Sequence, residues 1–382
     1  MRVVFDISKA LFFEEYLYEK PHVFKAALQG ENVEWKYVNE IYERADAADR
    51  SFKLMNGHEI SKSEYMESYM NVGRVEHRYI KSAIYRYMRE GATLVYNRIK
   101  NEPFVTNISR QIASYADAQV IVSGYAAFSG KSSYKSHWDT RDVFAVQLLG
   151  RKRWIIKRPS FDFPLYMQQA KDMPEAVEPE EVYLDVVLEP GDIIYVPRGW
   201  WHNPLPLGGE TFHLAIGTFA PTGFDYLRWL VNWSPKIADV RKNFHNFERD
   251  RKTLENIAAS LGGAIRERDN FDDFMQAYIG MHRVDSKIAL HVLGDGSNHK
   301  LDVLQNVRLN ANLLYRFSGG FVVINGNKIN FDEVGIKLIE YIRDASVCSV
   351  IQIQESFSGY SAELINDVLF QLAINDVIDI VD

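Results

Sequence analysis

The sequence predicts an α+β protein: a small β-barrel core entered by helical segments, then a run of charged helices, then a small terminal module of hairpin and helices. Three observations carry that expectation. Val143, Ala145 and Gln147 alternate with Phe144, Val146 and Leu148, and a glycine turn at Gly150 leads to a second strand from Arg153 to Ile156. Pro190-Gly191-Asp192 and Pro197 to Gly199 read as turns on either side of a buried strand, Ile193 to Val196. From Gly223 onward the pattern changes to dense charge at helical spacing.

Taken in order, Ser8 to about Ala27 reads as an amphipathic helix ending before Pro21, with an extended HVFKAAL after it. Tyr37 to Tyr69 and Val75 to Lys100 read as polar helical stretches. Their His58 and His77 lack an acidic or His partner at ligand spacing, so they are surface residues or caps. The chain turns strand-like at Ala118, and Ser123 and Tyr125 share one face of that strand. Gly130 to Ser136 is a basic approach segment. Between Pro159 and Glu189, four prolines and many acids mark an irregular excursion, which either shapes an entrance or is a surface insertion without a role. GETFHLAIGTFAP closes the strand-rich region, with His213 and Ala215 on one face.

Beyond Gly223 the helical run breaks at Gly262-Gly263, and its Phe224, Trp229 and Trp233 suit either a dimer interface or a cap on the barrel. From about Asp285, a hairpin turning at Asn325-Gly326 precedes two helices and a terminal strand, the order of a winged helix. The expected divisions are therefore 1–222, 223–284 and 285–382.

Composition sets the class. At 382 residues, 47% hydrophobic and 25% charged, the chain suits two or three soluble globular domains. Its single cysteine, Cys348, rules out an intrachain disulfide and a cysteine zinc cluster, and fits a reducing compartment. No apolar run of 18 residues occurs, so the expected location is cytoplasmic, without a membrane partner. Net charge is −7, and from Phe331 to Asp382 ten acids face two bases, Lys337 and Arg343. That terminal module repels phosphate, so DNA is not an expected partner; a basic protein or peptide is.

Chemistry concentrates in SHWDTRDVFAVQLLGRKRW and GDIIYVPRGWWHN. His137 and Asp139, two apart, would project from one strand face, and His202 would complete a three-ligand set. Two imidazoles and one carboxylate leave three octahedral positions open, the arrangement of non-haem Fe(II) oxygenases. Ten histidines and 51 acids in 382 residues give about one His-x-acid triplet by chance, so the triplet gains its weight from the strands around it.

With GRKRW and LEPGDIIYVPRGWWH between the ligands, the sequence resembles the JmjC-type Fe(II)/2-oxoglutarate oxygenases, and among them the ribosomal oxygenases of the cupin-4 group. The resemblance runs from FFEEYLYEKPHVF to the terminal module and is specific in the core motifs. It implies a double-stranded β-helix, or cupin jelly roll, for the core, a homodimer through the helices after Gly223 and a winged-helix-like end. Fe(II) would be held by His137, Asp139 and His202. Lys152 stands where the family carries a Lys or Arg for the distal carboxylate of 2-oxoglutarate, which needs a cation once buried. Arg151 and Arg153 alternate away from it, and otherwise all three are a solvated strand edge. The resemblance also brings Ser123, where the family often has Asn, Tyr125 and His213 near the co-substrate. Without it, Ser123 and Tyr125 are ordinary strand residues and His213 a satisfied core histidine.

The implied activity is hydroxylation, with molecular oxygen, of a side chain of a protein or peptide, a ribosomal protein being one candidate. Two alternatives stay open: hydroxylation of a small molecule, a peptide natural product or an RNA nucleoside, and a non-catalytic cupin-type binding module.

Overall fold

The structure, a computed structural model, describes residues 1–381 except 131–132, 294–299 and 331–332. Lys131 and Ser132 of the basic approach segment thus lie outside the described residues. The chain divides into two compact units, Met1–Phe219 and Ala220–Asp382.

In the first unit seven strands form one antiparallel sheet in the order His22–Phe24, Ile193–Val196, Asp142–Leu149, Thr211–Phe219, Gln119–Ala127, Thr93–Tyr96, Phe52–Met55. A second sheet holds Leu184–Leu188, Lys152–Lys157 and Trp201–Pro206. The 142–149 strand is buried on both faces, which is why its sequence is an almost unbroken apolar run. One face, with Phe144, Val146 and Leu148, packs with Ile108 and Ile112 of the helix Pro103–Ala116; the other, with Val143 and Ala145, packs with Trp154 and Ile156 of the second sheet. Two apolar layers therefore enclose the space between the sheets, the jelly-roll architecture that the motifs imply.

The turn into Lys152–Lys157 depends on Gly150. Its φ is +63°, and a Cβ there would stand 1.8 Å from the Glu210 carbonyl oxygen. Past that turn, Lys152, Trp154 and Ile156 face inward while Arg153 is exposed, the alternation a strand imposes.

Several expected elements differ. The N-terminal helix spans only Lys9–Glu15, capped by Ser8, and the chain leaves it well before Pro21. Within the expected helical stretches, only Trp35–Glu43 and Lys81–Arg89 are α-helices, whereas Phe52–Met55, Met66–Asn71, Arg74–Tyr79 and Thr93–Tyr96 are strands. The 66–79 hairpin is mostly exposed on both faces, so no apolar alternation announces it; its Val72-Gly73 turn has φ of 45° and 77° at the two residues, as such two-residue turns require. The excursion ends in the strand Leu184–Leu188, paired with Lys152–Lys157.

In the second unit Gly223–Trp233 starts at a Thr222/Asp225 capping box. Phe247–Arg266 runs unbroken through Gly262 and Gly263, and Arg268–Met281 follows. The hairpin Phe321–Ile324/Asn327–Asn330 turns at Asn325-Gly326 as expected. The helices Glu333–Ala345 and Ala362–Ile374 are joined by a short helix, Val350–Ser356, that the sequence reading missed. Asn306–Leu309 pairs with Cys348–Ser349 and Ile378–Val381 in a small sheet. A separate core, with Val307, Leu338 and Ile365, lies beneath.

Candidate metal centre

His137 is not on a continuous strand with Asp139. It makes a two-hydrogen-bond bridge to His202, N–H to carbonyl at 3.2 and 2.8 Å, just before the 142–149 strand begins. His202 is the second residue of the strand Trp201–Pro206, just past the Pro197–Gly199 turn. The bridge sets the rings of two residues far apart in sequence 4.5 Å from each other. One ligand atom each from His137, Asp139 and His202 lies within 4.8 Å of the others, and Nε2 of His202 is 3.6 Å from Asp139 Oδ2. No other such group of three occurs among the described residues.

Both imidazoles are oriented by backbone. Nδ1 of His137 lies 2.8 Å from the Lys135 carbonyl oxygen and Nδ1 of His202 lies 3.0 Å from that of Trp200. A carbonyl only accepts, so each Nδ1 carries the proton and each Nε2 is left as a free donor to a cation. Burial, then the neighbouring His137, lowers the His202 pKa to about 4 against the pull of Asp139, which keeps that ring neutral.

The three residues line a cleft together with Lys152, Tyr125, His213 and Trp154. Lys152 is 3% exposed, and its Nζ donates to His213 Nδ1 at 2.9 Å. Among the described residues no carboxylate pairs with it, and burial alone lowers its pKa to about 7. Its neighbours are occupied on the outside: Arg153 pairs with Asp185, and Arg151 lies 3.7 Å from Glu189.

His213 sits where the pairing of Thr211–Phe219 with Asp142–Leu149 slips, an irregularity of the kind that re-aims a side chain. The Tyr125 ring stacks on it at 4.9 Å, and Trp154 meets it edge-on at 5.8 Å. Burial raises the Tyr125 phenol pKa, with the Asp139 charge adding to it. Ser123 hydrogen-bonds that phenol and shares its strand face, but is not among the residues lining the cleft. His58 and His77 are exposed, as expected.

The sequence reading missed Thr93, Ser133, Tyr134 and Trp154 in the cleft. Thr93 Oγ1 donates to Ser133 Oγ at 2.8 Å, which donates to the Gly91 carbonyl at 3.1 Å. Only for Trp154 was there a signal, since it shares the strand face of Lys152. The donor set fits a divalent transition metal. The cleft also fits an anionic co-ligand: Lys152 has no carboxylate, and the buried indole N–H of Trp154 has no partner among the described residues.

Residues 94–226 match the family described as JmjC domain. The ribosomal protein uL16 3-hydroxylase of Escherichia coli is 28% identical over 209 residues, 51% of this chain and 54% of that one. Ribosomal oxygenase 2 of Rattus norvegicus is 32% identical over 152 residues, 38% of this chain and 30% of the other. The NO66 lysine-specific demethylase and histidyl-hydroxylase of Dictyostelium discoideum is 24% identical over 240 residues, 60% of this chain and 44% of the other. The chain thus spans about half or less of the length of these curated relatives. The E. coli ribosomal oxygenase YcfD, solved with cobalt and 2-oxoglutarate, aligns over 100% of both chains with a TM-score of 0.60 at 15% identity, a likeness of fold.

Proposed function

Because this chain carries a JmjC domain and the fold of the ribosomal oxygenases, we propose that it is an Fe(II)- and 2-oxoglutarate-dependent oxygenase that hydroxylates a side chain of a protein or peptide. The observation that carries the reading is the meeting, in one cleft, of an oriented His-Asp-His set and a buried lysine without a carboxylate. Either feature alone has other uses; together they match a metal and a dianionic co-substrate. The matched curated relatives include a ribosomal protein hydroxylase, which supports a protein substrate.

When bound, Fe(II) and 2-oxoglutarate would supply an oxidant from molecular oxygen strong enough to place one oxygen atom in a C–H bond, the other entering succinate as 2-oxoglutarate loses its C1 carboxylate as carbon dioxide. The chain's own residues do the rest. His137 and His202 would offer Nε2 and Asp139 its carboxylate, the only negative protein charge on the cation, while half of six coordination positions stay open. Lys152 would hold the distal carboxylate of the co-substrate, since Arg151 and Arg153 are turned outward. Tyr125 and His213, stacked and buried, would wall that end of the cleft, with Ser123 fixing the phenol. Val143, Val196 and Ala215 give the cleft an apolar wall, which strengthens charge interactions beside it.

The second unit fits a supporting role, with 223–284 as a homodimerisation segment and 285–382 as a winged-helix-like module for a basic protein partner. Only Asp250 and Ala264 are buried along the twenty residues of Phe247–Arg266, which supports a further copy covering that helix. A cytoplasmic setting suits a ferrous site and the lone, buried Cys348.

The test is anaerobic reconstitution with Fe(II), followed by 2-oxoglutarate turnover to succinate and mass spectrometry of captured partners for the gain of one oxygen atom. Absence of metal-dependent co-substrate binding would overturn the reading.

A further inference from the structure

The neighbours of the ligands raise a packing problem. His137, Asp139 and His202 line the cleft while Trp138 and Trp201 beside them do not, and two indoles would stand bare behind the metal site. They do not. Trp138 is 3% exposed and Trp201 8%, and the rings meet edge to face at 4.8 Å. Their cover comes from the excursion, through Phe161, Ala170, Met173 and Ala176.

Polar contacts follow the same route. The Trp201 indole N–H donates to Ser160 Oγ at 3.0 Å and that of Trp138 to the Gln168 carbonyl at 3.3 Å. Ser136, beside His137, donates to Glu178 Oε1 at 2.8 Å, and Lys157 Nζ lies 2.9 Å from the same oxygen. Gly199 donates its N–H to the Asp139 carbonyl at 3.1 Å. A Cβ on Gly199 would stand 2.7 Å from the Phe161 carbonyl oxygen, so the excursion lies directly against that turn.

We propose that the excursion from Ser160 to Glu178 is a clamp that fixes the three metal ligands from behind, with Glu178 as its latch; the inference rests on the metal reading above. The segment carrying His137 and Asp139 has no strand of its own beyond the bridge to His202, and the Asp139 side chain is 46% exposed. A ligand set with so little regular structure needs outside support to hold its geometry within a fraction of an ångström. Groups hydrogen-bonded directly to metal ligands are commonly worth about 10–100-fold in metal affinity, and Glu178 acts one residue removed, through Ser136, at the low end of that range. Glu178 is a positioning residue that can be tested apart from the fold, because it belongs to neither the aromatic cluster nor the barrel core.

The experiment titrates the metal-free full chain with Co(II), reading affinity and the visible absorption spectrum, in wild type, Glu178→Ala, Glu178→Gln and Glu181→Ala. Glu181, an exposed acid on the same excursion, controls for the loss of one negative charge. The expected result is roughly tenfold weaker Co(II) binding and an altered spectrum in Glu178→Ala. Glu178→Gln, which keeps an acceptor for Ser136, falls between it and wild type, and Glu181→Ala matches wild type. Thermal unfolding of the metal-free variants stays at the wild-type midpoint. Unchanged affinity and spectrum in Glu178→Ala overturns the clamp, as does an equal loss in Glu181→Ala, which would assign the effect to charge alone. Wild type that fails to bind one Co(II) per chain removes the metal reading itself, a distinct result read before any variant.

Discussion

Lys152 and His213 form a buried pair, Nζ to Nδ1 at 2.9 Å, with no negative charge between them. A lysine so placed gives up its proton near pH 7, because burial penalises the ammonium and nothing repays the penalty. The same residue becomes a strong anion site once a carboxylate arrives.

The first prediction concerns pH. The folded pKa of about 7 lies below the unfolded lysine value of about 10.4. Between those values the unfolded chain binds a proton that the folded one lacks, so the contribution of Lys152 to stability rises with pH. Urea unfolding of the metal-free protein should show that rise between about pH 7 and about pH 9, and Lys152→Met should lose it. An identical slope in the variant would assign the burial cost elsewhere.

Co-substrate binding should run the opposite way. A dicarboxylate favours the charged amine, so 2-oxoglutarate affinity should fall as pH rises above about 7. Lys152→Ala should weaken co-substrate binding strongly and leave Co(II) binding nearly intact, while Lys152→Arg retains part of the affinity. Calorimetry measures both, with Co(II) titrated into the metal-free protein and 2-oxoglutarate into the Co(II)-loaded one. Full affinity in the Ala variant would remove the role from Lys152.

At the metal, His137→Ala or His202→Ala should abolish retention of Fe(II) through gel filtration, and Asp139→Ala should be equally severe, because it removes the only protein charge opposing the cation. Metal analysis of the desalted proteins checks this. Stoichiometric iron in any of the three would sink the assignment.

How much of this was legible follows from the range of the interactions. The inward turn of Lys152 and outward turn of Arg153 were readable, because alternation is a local rule and Gly150 marks where it restarts. The backbone bridge between His137 and His202 was not readable, since it joins segments with four strands between them in the chain. Thr93 and Ser133 were not readable at all: each is an ordinary polar residue until Thr93–Tyr96 pairs with Gln119–Ala127. The exposed 66–79 hairpin failed for the opposite reason, having almost no buried face to leave a period in the sequence.

Gly150→Ala tests the turn that delivers Lys152. The positive φ alone costs more than about 1 kcal/mol for an L-residue, and the added Cβ would collide with the Glu210 backbone rather than with a flexible side-chain tip. The variant should unfold at lower temperature than wild type and bind 2-oxoglutarate less well. An unchanged midpoint would mean that the strand Thr211–Phe219 can retreat without cost.

The last prediction concerns the second unit. Along Phe247–Arg266, Phe247 and Leu254 are exposed, as are Leu227 and Val231 on Gly223–Trp233. A second copy packed along these two helices would cover those apolar side chains. Light scattering should therefore give twice the chain mass at micromolar concentration, and Leu227→Glu with Val231→Glu should shift it toward monomer. A wild-type monomer would refute the dimer. Electrostatics is a separate matter. Residues 331–382 carry ten acids against two bases, so this end of the chain repels phosphate and attracts cations. Fluorescence anisotropy should detect no duplex DNA binding by the full chain at physiological salt, and a lysine- and arginine-rich peptide should bind with an affinity that falls as salt rises, because screening weakens attraction between exposed charges. Salt-sensitive binding to DNA would reverse the assignment and turn the search for a hydroxylated partner toward nucleic acid.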